Sequence, residues 1–478
     1  MAELSQDQAE QFVGAVVQLA SMADRVLPKH ESTLTRRLRE HLGDISDDVS
    51  STSISVPVIE RVNVQLALDA YQRDVERFDV IGLQGDIGNY SGISLTGMVA
   101  GEWRGPSETA RQYISVDVDA DERIDCLRAG LILTHFDGSP VAALLYGSER
   151  GFPPDLVVEV VGREPAAADG FLAQLQALMV EHNAFRGKVV SFTFGMHGDF
   201  GLSFVRLPPV DRGDVILPEG ELEAIEAHTI GITENADALR AAGQHVKRGL
   251  LLYGPPGTGK THTISYLTSR MSGRTTIILT GGAVAAVGQA GTIARSLQPA
   301  TIVIEDVDLI AMDRQLPGGD HNALLFQLLN EMDGLAEDAD VLFVLTTNRV
   351  EMLEPALAAR PGRIDQAIEL SLPDAEARSR LIELYTDAAL STGSDVVDRL
   401  DGVSPAFIKE LARRAELARI AGATAAEALP TALDEMLEHA TPVLRRTLAA
   451  GGEPPIEPGS AGEAPPPPGR RRSGWTTA

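Results

Sequence analysis

The sequence predicts an α/β core, a parallel sheet with helices on both faces, preceded by an α+β N-terminal region and followed by a small C-terminal helical lid. Three observations predict it. Between about residues 215 and 374 the apolar runs GLLLY, TTIILT, TIVIED, VLFVLTT and AIELSL alternate with segments of helical period, the pattern of parallel strands joined by crossover helices. A glycine-rich stretch, residues 254–261, follows the first of these runs and opens a helix. Beyond Pro373 the pattern is helical through about residue 449.

Composition bounds what such a chain does. At 478 residues it is long enough for about three compact units, taking roughly 150 residues per domain. With 23% charged and 44% hydrophobic residues it has the make-up of a globular protein. The formal net charge of -27 disfavours a general nucleic-acid binder or a partner of anionic lipid, while leaving room for a local basic pore. A single cysteine, Cys126, excludes an intramolecular disulfide and has no neighbours for a zinc site, which fits a cytoplasmic protein. The N-terminus lacks the charged start and apolar core of a signal peptide, and no apolar run approaches the ~20 residues of a transmembrane segment.

Along the chain, residues 1–43 read as an amphipathic helical segment through Phe12, Val16, Leu19, Leu34, Leu38 and Leu42, and its acids Glu3, Asp7, Glu10 and Asp24 suit water better than a membrane surface. Residues 43–55 are small and acidic and read as a linker. Residues 56–210 read as an α+β domain, with strands at 113–118, 131–135, 156–161 and 189–194 and a helix at 166–182. Pro208, Pro209 and Pro218 bracket a connector that reads as a hinge. The large core spans 215–374, the lid 375–449, and the Pro/Gly-rich tail 450–478 reads as disordered, with Arg470 to Arg472 as a solvated charge run.

The chemistry is concentrated in the core. Gly254, Pro255, Pro256, Gly257, Thr258, Gly259, Lys260 and Thr261 satisfy GxxxxGK[ST] between a strand and a helix. Glycines there let backbone N–H groups close around a β-phosphate, the helix start adds partial positive charge, Lys260 reaches the β- and γ-phosphates, and the Thr261 hydroxyl coordinates Mg²⁺. The strand Thr301-Ile302-Val303-Ile304 ends in Glu305 and Asp306, two carboxylates whose natural partners are Mg²⁺ and a lytic water. Glu305 suits the metal's hydration shell and Asp306 the water. Asn348, after the strand 341–347, suits the γ-phosphate or the same water. Arg360 and Arg363 flank a Pro-Gly turn at the edge of the core, where guanidinium groups reach a neighbouring subunit's nucleotide; such head-to-tail contacts close into a ring.

In order and spacing GPPGTGKT, TIVIEDVD, LLNEMDGL and TTNRVEMLEPALAARPGRID resemble the AAA family of the AAA+ P-loop ATPases, over about residues 215–445. The resemblance implies Mg²⁺-dependent ATP hydrolysis, a homo-hexameric ring that remodels proteins, Asn348 as a first sensor, and Arg360 and Arg363 as fingers acting in trans. It also offers Gly231, in HTIGITENAD, as an adenine contact. Three departures stand out. The family's usual Asp-Glu is reversed to Glu305-Asp306, the loop 281–291 has no aromatic residue for gripping polypeptide, and Gly402-Val403-Ser404-Pro405-Ala406 lacks a second-sensor arginine. There is no HExxH zinc-protease motif, and the terminus WTTA lacks the hydrophobic-Tyr-any ending by which proteasomal ATPases dock.

Three functions are compatible with these residues. The first is a chaperone-like remodelling ring whose N-terminal domain selects a protein substrate or adaptor. The second is a slow nucleotide-dependent assembly switch or scaffold, favoured by the small loop and the shortened base. The third is nucleic-acid remodelling, the least favoured, because the loop 281–291 carries no basic residue.

Overall fold

Four consecutive apolar strands buried on both faces form the centre of the chain, as a parallel sheet covered on each side requires. The structure, a computed structural model, describes residues 32–43, 49–84, 94–100, 107–148, 155–194, 200–308, 330, 332, 334, 339–352, 364–386 and 394–439. The chain divides into two compact units, one of residues 1–254 with 259–371 and one of residues 255–258 with 372–478.

The first unit holds two seven-stranded sheets. The N-terminal sheet contains β1 (Thr52–Pro57), β2 (Phe78–Gln84), β3 (Ser107–Thr109), β4 (Gln112–Asp117), β5 (Arg123–Phe136), β6 (Ser139–Ser148) and β7 (Asp155–Gly162). Its order is β1-β7-β6-β5-β2-β3, with β4 on β5, and every pair is antiparallel. Asp137 and Gly138 join β5 to β6 with φ of 47° and 78°, the left-handed pair that a two-residue hairpin needs. Period-two alternation sends Ile132, Ala143, Leu145 and Val158 to one face, where they meet α2 (Arg61–Asp74) and α4 (Pro165–Glu181). Leu131, Leu133, Ala142 and Leu144 go to the other face and meet α1 (Thr33–Leu42) and α3 (Leu95–Ala100).

The second sheet contains β8 (Val189–Phe194), β9 (Phe200–Phe204), β10 (Arg248–Tyr253), β11 (Thr275–Leu279), β12 (Ala300–Ile304), β13 (Val341–Thr347) and β14 (Gln366–Glu369), in the order β14-β10-β13-β12-β11-β8-β9. All neighbours are parallel except β9, which returns antiparallel on β8. Leu251, Ile277, Ile302 and Phe343 pack on one face, and Leu250, Ile278, Val303 and Leu342 on the other, the latter with Ile264 and Leu267 of α5 (Lys260–Arg270). At the start of these strands Asp340, 5% exposed, gathers three arginines, with Arg274 at 2.7 Å, Arg240 at 3.4 Å and Arg248 at 3.6 Å.

Several expectations from sequence need correction. Val189–Phe194 does not belong to the N-terminal sheet; β8 pairs with β11 through Val190↔Ile277 and adds a sixth parallel strand to the second sheet. A short apolar run specifies that it is buried and not which sheet buries it. The two sheets also share a core, since Val62, Cys126 and Phe185 cluster with Ile277, Ile302 and Phe343. The proposed linker at 43–55 contains the start of β1, whose Ile54 pairs with Val158. The connector read as a hinge is packed down, with Val210, Val215 and Ile216 buried and Arg212 paired to Glu223 and Glu226. Of the helical segment at 1–43 only α1 lies within the described residues, and the tail 450–478 lies outside them.

Beyond residue 371 the second unit is helical: α7 (Ala375–Tyr385), α8 (Ser394–Arg399), α9 (Pro405–Ile420) and α10 (Ala425–His439). Asp374 caps α7, and Ser404 with Pro405 at the first turn starts α9, which buries Phe407, Ile408, Leu411 and Ala415. Among the described residues no helix is long and apolar enough to cross a membrane.

Candidate active site

The C-terminal ends of β10, β12 and β13 bring the sequence-predicted residues of the first unit together. The β10 strand ends at Tyr253, and the next residue, Gly254, sits at φ 142° with its N–H donating to the Thr347 carbonyl at 3.3 Å. A Cβ at Gly254 would collide with the Leu370 carbonyl oxygen, so only glycine fits. Gly259 has φ 104° and starts α5, whose first residue is Lys260. Lys260 is 8% exposed, and its ammonium donates to the Gly254 carbonyl at 2.8 Å. Burial pushes its pKa down, with Asp306 and Asp308 pulling it back up.

Thr261 donates its hydroxyl to Glu305 Oε1 at 2.8 Å, which sets a hydroxyl and a carboxylate side by side. Asp306 has φ 51°, a left-handed conformation that few side chains tolerate and that Asp and Asn tolerate best. Its N–H donates to Thr346 Oγ1 at 3.0 Å, and its Oδ1 accepts from Asn348 Nδ2 at 3.2 Å. The reversed acid order thus puts the shorter acid at the strained position.

Sequence reasoning passed over Asp308, the third acid of TIVIEDVD, which is 3% exposed and accepts from the Thr347 hydroxyl at 2.9 Å and the Asn348 N–H at 3.2 Å. Its signal was a further acid just past the end of an apolar strand.

In the second unit the Thr258 hydroxyl donates to the Pro255 carbonyl at 2.9 Å. Gly257, at φ 81°, accepts the Ala406 N–H at 3.2 Å, and a Cβ there would come within 3.0 Å of Ser404 Oγ. Pro256 continues that turn.

Gly231 closes a π-helical turn, Ala227–Gly231, and its carbonyl accepts from Asn235 Nδ2 at 2.7 Å. Such turns recur at functional sites. The 281–291 stretch does not project as a loop. Gly281–Ala286 is a 3₁₀ turn leading into α6 (Val287–Ser296), and Ala283, Val284, Ala286, Val287 and Ala290 are buried. Arg360 and Arg363 lie outside the described residues, as does most of LLNEMDGL.

A glycine-rich loop between an inner strand of a parallel sheet and a helix, with acids ending the strand two places away and an amide ending the strand between them, defines a phosphate-loop nucleotide-binding domain. The family model of the ATPase family associated with various cellular activities (AAA) matches residues 250–372. The proteasome-activating nucleotidase of Methanococcus maripaludis is 35% identical over 175 residues, 34% of this chain and 43% of that protein. That of Thermococcus onnurineus is 29% identical over 230 residues, 45% of this chain and 58% of that protein. The ATP-dependent zinc metalloprotease FtsH 1 of Conexibacter woesei is 32% identical over 224 residues, 44% of this chain and 34% of that protein. The chain thus spans from about a third to under two thirds of the length of these relatives.

Proposed function

We propose that the protein hydrolyses ATP as one subunit of a homo-hexameric ring that remodels proteins. The observation that carries this reading is the convergence of Lys260, Thr261, Glu305, Asp306 and Asn348 at one end of the parallel sheet. The loop from Gly254 to Thr261 would take the phosphates on its backbone N–H groups, and Gly231 the adenine. The residues fit a magnesium ion: Thr261 and Glu305 already share a hydrogen bond and would hold the ion or its waters. Mg²⁺ would supply neutralisation of phosphate charge. Asp306, oriented by Asn348, would accept the proton of the attacking water, and Lys260 would leave the Gly254 carbonyl for phosphate oxygens.

Arg360 and Arg363 would complete a neighbour's site. The likeness to proteasome-activating nucleotidases supports protein as the load, with the N-terminal sheet selecting substrate or adaptor, and the net charge of -27 speaks against nucleic acid. A cytoplasmic setting accords with the buried thiol of Cys126. One observation favours a second reading, a slow nucleotide-dependent assembly switch: residues 283–290 are largely buried and carry no aromatic side chain with which to grip polypeptide.

The test is complementation. Arg360→Ala and Asp306→Asn are each expected to be inactive alone, and mixing them should restore ATP turnover, because some junctions then pair an intact Asp306 with an intact Arg360. Full activity of Arg360→Ala alone would defeat the shared-site ring.

A further inference from the structure

The hydrolytic reading leaves one buried acid without a task. Asp308, at 3% exposure, is a group that is costly to hide unless it is hydrogen-bonded. Its Oδ1 accepts from the Thr347 hydroxyl at 2.9 Å and from the Asn348 N–H at 3.2 Å. The Thr347 oxygen in turn accepts the Arg349 N–H at 2.9 Å, so the backbone from 347 to 349 is fixed through one carboxylate oxygen and one hydroxyl. Asn348 extends its carboxamide from that backbone to Asp306 Oδ1 at 3.2 Å. Through these hydrogen bonds Asp308 reaches the Asp306 carboxylate by way of Asn348.

We infer that Asp308 is a positioning residue for the hydrolytic step, holding Asn348 where its carboxamide orients Asp306, without touching nucleotide itself. The inference rests on the hydrolytic reading of Asp306. A merely structural acid would behave differently, since its loss would lower turnover whether or not Asn348 were present.

The experiment uses the full chain and measures ATP turnover, nucleotide affinity and amide hydrogen exchange at Asn348. Asp308→Ala should lower kcat roughly tenfold or more while KM for ATP stays within about threefold. Asp308→Asn keeps an oxygen acceptor for both donors and should restore most of the loss. In an Asn348→Ala background Asp308→Ala should cost less than about twofold further, because acts that run through one residue are not additive. Exchange at the Asn348 amide should accelerate in Asp308→Ala and not in Asp308→Asn.

Additive losses in the double variant, an equal loss in Asp308→Asn, or unchanged exchange at Asn348 would each overturn the assignment. Should Asp308→Ala fail to fold, Asp308→Glu displaces the acceptor by one methylene and should lower kcat only when Asn348 is present; an unchanged kcat would overturn it equally. If the wild type itself does not hydrolyse ATP, the hydrolytic reading fails, and exchange at Asn348 still decides whether Asp308 holds that residue.

Discussion

Glu221, at the start of a short helix, shows how one side chain reports on its surroundings. Burial pushes its carboxyl up to about 7, with Glu369 at the end of β14 adding to the effect and a hydrogen bond to Ser371 opposing it. Its Oε2 is buried without a hydrogen-bond partner. Between the ordinary glutamate range and about pH 7 the folded protein keeps a proton that the unfolded chain releases, so this group's contribution to stability falls as pH rises through that window. Glu221→Gln is expected to raise the melting temperature at about pH 8, where the native carboxylate would be charged, and to change it little near pH 5. A shift of equal size at both values would show that the carboxyl does not titrate as described. The same scale shows what a sequence conceals. Lys260 and Thr261 were legible because their motif has no other common use, whereas Asp308 was not, since its task depends on a strand 40 residues away.

At the scale of elements, β10 to β13 were legible because each is an apolar run of 5 to 7 residues at most one of which is not buried. β1 and β8 were misplaced for a physical reason: strand pairing is a non-local choice, and the alternation of Thr52 to Pro57 marks which side chains turn inward without naming a partner strand. The base of the second sheet depends on Asp340. Arg274 and Arg248, each with 2% of the side chain exposed, face this one carboxylate, and desolvation lowers the pKa of both, that of Arg248 to about 10. Asp340→Ala would leave buried guanidinium groups uncompensated and is expected to cost about 3–5 kcal/mol, read from denaturant melts. A loss under about 1 kcal/mol would mean that the backbone carbonyls accepting from Arg248 and Arg274 suffice for the cluster.

For the molecule as a whole, the first unit unites what the sequence divided at residues 210–215. Sheet strands β8 and β9 come from before that boundary, Lys188 and Arg206 beside them pair with Asp119 and Asp121 of the β4–β5 hairpin, and Val62, Cys126 and Phe185 complete the core under β11 and β12. The two sheets therefore form one packed unit, and its described residues should melt in one cooperative transition. A fragment beginning at residue 215 would expose the edge of β11 and the apolar face below it, and is expected to aggregate. A folded, monomeric fragment with the nucleotide affinity of the full chain would contradict this unity.

The proposed function rests on hydrolysis by the acids ending β12 at a nucleotide held by the Gly254–Thr261 loop. It is tested most directly by measuring Mg·ATP affinity and turnover side by side for the wild type and Asp306→Asn. Asparagine tolerates the left-handed backbone at 306 and keeps the hydrogen-bonding shape, so folding and ATP binding should survive while turnover falls by roughly a hundredfold or more. Turnover that persists near the wild-type rate, with affinity unchanged, would place the catalytic base elsewhere and contradict the account.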